Sequence, residues 1–171
     1  MHKEADVTTI VSGATLNWKG VFDLSDMYRQ LKWWLEYEGF GDESKNFKEM
    51  KYVERIKPFG KQFEIRWVGE KNISDYFAYQ IEVTMLIFGV KDAEVNVQGK
   101  KVKIDKGEID MKISSRLISN RSGKWKKDSF LKKLYNTFIV KDRIDGYKQD
   151  LYEKTYKFHE EVKNYLAFHK L

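Results

Sequence analysis

Residues 73–120 read ISDYFAYQIEVTMLIFGVKDAEVNVQGKKVKIDKGEIDMKISSRLISN, and this stretch decides the fold. Two long runs in it alternate. Phe77, Tyr79, Ile81, Val83, Met85 and Ile87 mark the first, Ile109, Met111, Ile113 and Leu117 the second, with Glu82, Lys112 and Arg116 in the opposite phase. A side-chain period of two is the mark of a strand with one buried face. The apolar set is therefore expected to face a core and the charged set to face solvent. Ser115 interrupts the second stripe. Between the runs, Gly99 is read as leading a two-residue turn that pairs Val97 with Val102 and Val95 with Ile104 in a hairpin.

Working outward, the same period holds over segments 47–56, 61–68, 73–88, 92–98, 101–104 and 108–120. The breaks fall at Pro58-Phe59-Gly60, 69–72, 89–92, Gly99 and Lys106-Gly107, all rich in turn residues. That pattern predicts an antiparallel meander. Upstream, residues 15–22 alternate Leu16, Trp18 and Phe22 against polar neighbours and read as a first strand. Asp23 or Ser25 is placed to cap a helix over about 24–38, whose apolar positions are Leu24, Met27, Tyr28, Leu31, Trp34 and Leu35 and whose stop is Gly39. Downstream, residues 120–129 form a basic linker. Asp128 or Ser129 can then cap a helix carrying Phe130, Leu131, Leu134, Tyr135, Phe138 and Ile139. A last helix over about 142–169, on the order of 40 Å long at 1.5 Å per residue, carries Ile144, Tyr147, Leu151, Thr155, Phe158, Val162 and Leu166.

The expectation is an α+β fold: a single domain over residues 1–171, with residues 1–8 disordered and an antiparallel sheet of six to seven strands. One N-terminal helix and the long C-terminal helix would cover the sheet's apolar face. This order of elements, over roughly residues 15–169, resembles the helix-grip superfamily, the START-like and Bet v 1-like proteins. The resemblance is one of topology and rests on no residue motif. It implies a curved sheet wrapped around the C-terminal helix with a cavity between them. The chain departs from that layout in having two C-terminal helices and no second short helix after strand one.

Composition narrows the chemistry. The 171 residues include no cysteine, which excludes disulfides, thiolate metal sites and a cysteine nucleophile. The first residues are charged and lack the apolar run of a signal peptide. The most apolar run, residues 81–90, falls short of the roughly 20 residues that span a bilayer. Abundant lysine and glutamate with a single proline lean towards a microbial, archaeal, cytoplasmic protein. The +6 net charge is regional, because residues 99–133 hold 12 Lys/Arg against 4 Asp/Glu and leave 20 against 22 elsewhere.

No catalytic constellation is legible. His2, His159 and His169 are too far apart in sequence for adjacent-turn metal ligands, so no metal site and no cofactor are expected. Ser12-Gly13 and Ser122-Gly123 read as loop turns, not nucleophile elbows. The glycines at 13, 20, 39, 41 and 60 read as turns, not a phosphate loop. Asp75, Glu82 and Glu108 read as solvated carboxylates.

Three binding surfaces are expected. Trp33 and Tyr37 lie opposite the apolar stripe of their helix, at about 200° and 240° from Leu31, and suit an interface. Arg121, Lys124, Trp125, Lys126 and Lys127 set one Trp among cations, which suits nucleic acid or an anionic surface, although Trp125 can equally anchor its loop. Phe63, Trp67, Phe77, Tyr79, Tyr147 and Phe158 are inward aromatics that could line a pocket between sheet and C-terminal helix. The leading expectation is non-enzymatic binding of an apolar or aromatic small ligand there. The alternative is nucleic-acid or anionic-surface binding through residues 99–133. The third is a protein-interaction subunit with Ile144, Leu151, Phe158 and Tyr165 as a partner seam. Ligand identity and oligomeric state are not legible.

Overall fold

The computed structural model describes residues 5–41, 44–125, 129–138 and 141–169. The chain runs β1 (Asp6–Phe22), α1 (Leu24–Tyr37), β2 (Phe47–Lys57), β3 (Gly60–Asn72), β4 (Phe77–Val97), β5 (Lys100–Ser119), α2 (Phe130–Phe138) and α3 (Lys141–Phe168). All neighbouring strands pair antiparallel in the order β1-β5-β4-β3-β2. The fold is α+β, with one helix after the first strand and a long helix at the C-terminal end.

The sheet has five strands, not six to seven, and one feature accounts for the difference. Segment 73–88, from Phe77 on, and segment 92–98, as far as Val97, belong to one strand, β4, and segments 101–104 and 108–120, as far as Ser119, to another, β5. The two expected breaks lie opposite each other. Pairing stops at Phe88 with Glu108 and resumes at Lys91 with Lys106, which leaves Gly89 and Val90 opposite Gly107. Two residues facing one is a β-bulge, and bulges are where glycine sits inside a strand. A Cβ on Gly107 would lie 2.9 Å from the Phe88 carbonyl oxygen, so that position needs the missing side chain.

Two further expectations are corrected. The hairpin turn is Gln98-Gly99, with φ of 50° and 79°, and pairs Val97 with Lys100, Val95 with Val102 and Ala93 with Ile104. Positive φ at both central residues suits the right-handed twist of the flanking strands, so the register lies two residues from the one expected. Strand β1 begins at Asp6, inside the region expected to be disordered, of which residues 1–4 lie outside the described residues. Ser12-Gly13 and Gly20 belong to this long edge strand and form no turns; its register shifts between Thr9 and Val11 and again between Val11 and Ala14.

The strand phases place the core. Phe77, Tyr79, Ile81, Val83, Met85 and Ile87 of β4 and Ile109, Met111, Ile113 and Leu117 of β5 are all buried. On the other face the charges pair across strands. Glu82 accepts from Arg66 at 2.9 Å and from Arg116 at 3.1 Å. Burial pushes the Glu82 carboxyl up, but the two guanidinium groups outweigh it and hold the carboxyl below its ordinary range.

Helix α1 is capped by Asp23, whose carboxylate accepts from the Asp26 amide at 2.9 Å, and it buries Met27, Leu31, Trp34 and Leu35. Helix α3 buries Leu151, Thr155, Phe158, Val162 and Leu166. The seam proposed for a partner is thus largely spent inside the fold, because Leu151 and Phe158 are fully buried. Glu38, at the end of α1, ties the helices together by meeting Lys154 at 3.3 Å and Lys157 at 3.4 Å.

Ser115, which interrupts the β5 stripe, is fully buried and hydrogen-bonded to the Thr155 hydroxyl at 2.7 Å, and Thr155 also reaches the Leu151 carbonyl at 2.7 Å. A polar pair in the core is stable only while both members are satisfied. Thr155→Val is therefore expected to destabilise the fold by about 1–3 kcal/mol in urea denaturation, by stranding the Ser115 hydroxyl. Most of that loss should vanish in a Ser115→Ala background. An equal loss in both backgrounds would show that the two hydroxyls are not coupled.

Helix α2 is turned against expectation for an amphipathic helix. Its apolar residues Phe130, Leu131, Leu134 and Phe138 are exposed, while Lys132 is buried and meets Asp6 at 2.7 Å. Tyr135 alone of its apolar residues packs inward, 5.2 Å from Tyr76 and 5.4 Å from Trp125 between ring centroids.

Candidate functional site

An open groove of about 850 Å³ lies where the first turns of α1 overhang the β2–β3 hairpin and the adjoining middle of β4 and β5. Its floor is Phe63, Ile65 and Val90, all buried. Phe63 and Ile65 reach it by ordinary strand alternation. Val90 reaches it only through the bulge, which resets the phase of β4 after Ile87. The approach is close enough that a Cβ on Gly60, in the β2–β3 turn, would fall 2.7 Å from the Gly89 carbonyl carbon and 2.8 Å from the Val90 oxygen.

The walls are aromatic. Tyr28 of α1 and Tyr52 of β2 meet edge to face at 6.1 Å, and Tyr52 lies 6.5 Å from Phe63. Tyr28 is held from behind by its edge-to-face contact with Trp67 at 5.0 Å and by donating its hydroxyl to Glu49, which also accepts the Trp67 indole N–H at 2.9 Å. Burial, reinforced by Glu54 and Glu49, raises the Tyr52 phenol above its ordinary value and keeps it a neutral donor. The rim is charge-balanced: Arg29, Lys61 and Lys91 against Glu54, Asp92 and Asp105. Lys61 and Glu54 pair at 3.1 Å, and Asp105 accepts the Leu24 amide at 3.0 Å at the start of α1.

The inward aromatics expected to line one pocket are divided among three places. Phe63 is on the floor of this groove. Trp67 and Phe158 are fully buried packing residues, Phe158 lying 5.1 Å from Trp34. Tyr79 and Tyr147 line a second, more open concavity of about 460 Å³ with Ile73, Arg143, Gly146 and Asp150, and Phe77 backs Tyr147 at 5.1 Å. Burial, with Asp150 and Tyr147 adding to it, raises the Tyr79 phenol far above its ordinary value. These residues part because α3 packs over β1 and β5 and fills the space there with Leu151, Phe158, Val162 and Leu166.

Trp33 and Tyr37 are exposed on α1 and stack on each other at 5.4 Å. In the basic loop, Trp125 is half-buried, and Asn120 clamps its backbone from both sides, at 2.6 Å to the carbonyl and 3.2 Å to the amide. Arg121 donates to the Ser74 carbonyl and lies 3.9 Å from Asp75. Trp125 and Arg121 are therefore held by the fold, and Lys124 is exposed. Lys126 and Lys127 lie outside the described residues, as does Asp128.

The carboxylates considered for acid–base roles are ion-paired: Glu82 as above, Glu108 with Lys19 at 2.8 Å, Asp75 with Arg121. His159 donates its Nε2 hydrogen to the Thr15 carbonyl at 3.0 Å and so pins α3 to β1. Among the described residues no three His, Cys, Asp or Glu side chains are grouped to hold a metal, and no helix is long and apolar enough to cross a membrane. No family model, curated protein or solved structure matches this chain.

Sequence reasoning missed Tyr52 and Val90 as site residues and took Tyr28 only for a core position. The one available signal was Gly89 within an alternating run, which marks a bulge as readily as a turn.

Proposed function

We propose that this protein is a binding domain whose groove between α1 and the β2–β4 end of the sheet holds a small, partly aromatic ligand. The observation that carries this is the groove's makeup: an apolar floor, two tyrosine walls and a rim of three cations and three anions. Small-molecule sites are concave, mostly apolar and fitted with a few polar groups that set orientation, in volumes of about 300–1,000 Å³. A balanced rim favours a neutral or zwitterionic molecule over a strongly charged one, since either sign meets repulsion from half of it. A long α3 laid across an antiparallel sheet supports a helix-grip-like reading, with the ligand under α1 in place of α3.

The test uses 1-anilinonaphthalene-8-sulfonate as a fluorescent probe of the purified full chain. Ser25→Trp places an indole in the groove from an exposed position. It is expected to weaken probe binding at least tenfold, while Phe138→Ser, on the outward face of α2, leaves the groove component unchanged. The reverse pattern would remove the groove as the site.

A further inference from the structure

The groove leaves the most unusual surface of the molecule unused. Helix α2 presents Phe130 at 74 %, Leu131 at 62 %, Leu134 at 43 % and Phe138 at 78 % exposure. At 100° per residue these four span about 100° of the helix, a continuous apolar stripe of the width that ordinarily faces a core. The opposite side, where solvent would be expected, carries the buried Lys132 and its ion pair with Asp6. Tyr135, packed on Tyr76 and Trp125, fixes the helix further. The inner contacts therefore hold the stripe outward.

Charge identifies what the stripe meets. Residues 121–148 hold 9 Lys/Arg against 3 Asp/Glu, and the rest of the chain is balanced at 23 against 23, so the whole +6 sits on this segment. Lys133 is exposed on α2 itself, the exposed Lys124 lines one concavity with Leu131 of the stripe, and Lys141 and Arg143 are exposed in the first turn of α3, the next helix. A second copy docked stripe to stripe would bring two such cationic segments together, which opposes a dimer through this face. Phe and Leu on one side of a short helix with lysines beside them are the chemistry of a segment lying in the headgroup layer of an anionic bilayer.

We propose that α2 docks this protein peripherally onto an anionic lipid surface, with Phe130, Leu131, Leu134 and Phe138 inserted at the acyl boundary and the neighbouring Lys124 and Lys133 against the headgroups. The reading is independent of the groove. The experiment is co-sedimentation of the full chain with vesicles of phosphatidylcholine alone or with about a third phosphatidylglycerol, at low and high salt. Binding is expected to the phosphatidylglycerol vesicles at low salt, and to be at least tenfold weaker to phosphatidylcholine and at high salt, because exposed charge attraction is screened. The Phe130→Ser/Phe138→Ser double variant is expected to lose at least tenfold. Lys133→Glu, which removes one cation and adds an anion, is expected to lose at least fivefold, the factor for about 1 kcal/mol per cation near the surface. All these positions are exposed, so the thermal transition should stay in place. The proposal is overturned by no binding to phosphatidylglycerol vesicles at low salt, or by full binding of the double variant. A concentration-dependent dimer that the double variant abolishes would overturn it in favour of a second copy. Single-stranded oligonucleotide binding lost in the same variant, without vesicle binding, would overturn it in favour of nucleic acid.

Discussion

Trp67→Ala is expected to lower the stability of this protein by about 3–5 kcal/mol, the range for emptying a large aromatic site in a core. The Trp67 ring is fully buried, edge to face with Tyr28 at 5.0 Å and tilted against Phe47 at 5.9 Å. Its removal leaves a void between α1 and the sheet and takes one donor from Glu49. For a chain of this size, about 2–4 °C of midpoint is lost per kcal/mol, so thermal unfolding should move down by roughly 6–20 °C. Trp67→Phe keeps most of the volume and leaves Glu49 its bond from Tyr28, and it should recover at least half of the loss. Since Trp67 holds Tyr28 upright as a wall of the groove, Trp67→Ala should also weaken ligand binding at temperatures where the variant is still folded. A stability loss below about 1 kcal/mol would mean that α1 does not rest on this ring.

Phe158→Ala should have an effect of the same size, about 3–5 kcal/mol, and it tests how α3 is used. Phe158 is fully buried against Trp34, so the change opens the junction of α1, α3 and the sheet. Tyr156, two residues away on the same helix, is 39 % exposed, and Tyr156→Ala should cost within about 0.5 kcal/mol. Urea denaturation of both variants separates the alternatives. Equal, small losses would mean that the Ile144, Leu151, Phe158, Tyr165 series faces outward, as a partner seam would.

The elements themselves were readable because each carries its period. Met27, Leu31, Trp34 and Leu35 recur at helical spacing behind an Asp23 cap, and β4 and β5 alternate over most of their length, so both the buried face and the outward Glu82, Lys112 and Arg116 follow from side-chain geometry alone. The strand count did not follow, since Gly89 and Gly107 are the residues of a turn as much as of a bulge. Only their facing one another across the β4–β5 ladder shows that the chain goes straight on. The hairpin register failed for a related reason: shifting the turn by one residue along Gln98-Gly99-Lys100 changes the pairing by two while leaving every alternation intact.

Local sequence thus determined the types and order of most elements, the α+β class and the identity of most core residues, because helix and strand impose their own spacing on whatever they bury. The tertiary structure decided the rest. It set α3 over β1 and β5, which filled the space where a pocket was expected and left the concavity under α1, where the bulge brings Val90 beside Phe63. It also turned the apolar stripe of α2 away from the core. A stripe records that a helix has an apolar face, but whether that face meets the core is settled by contacts distant in sequence, here Lys132 with Asp6 and Tyr135 with Tyr76.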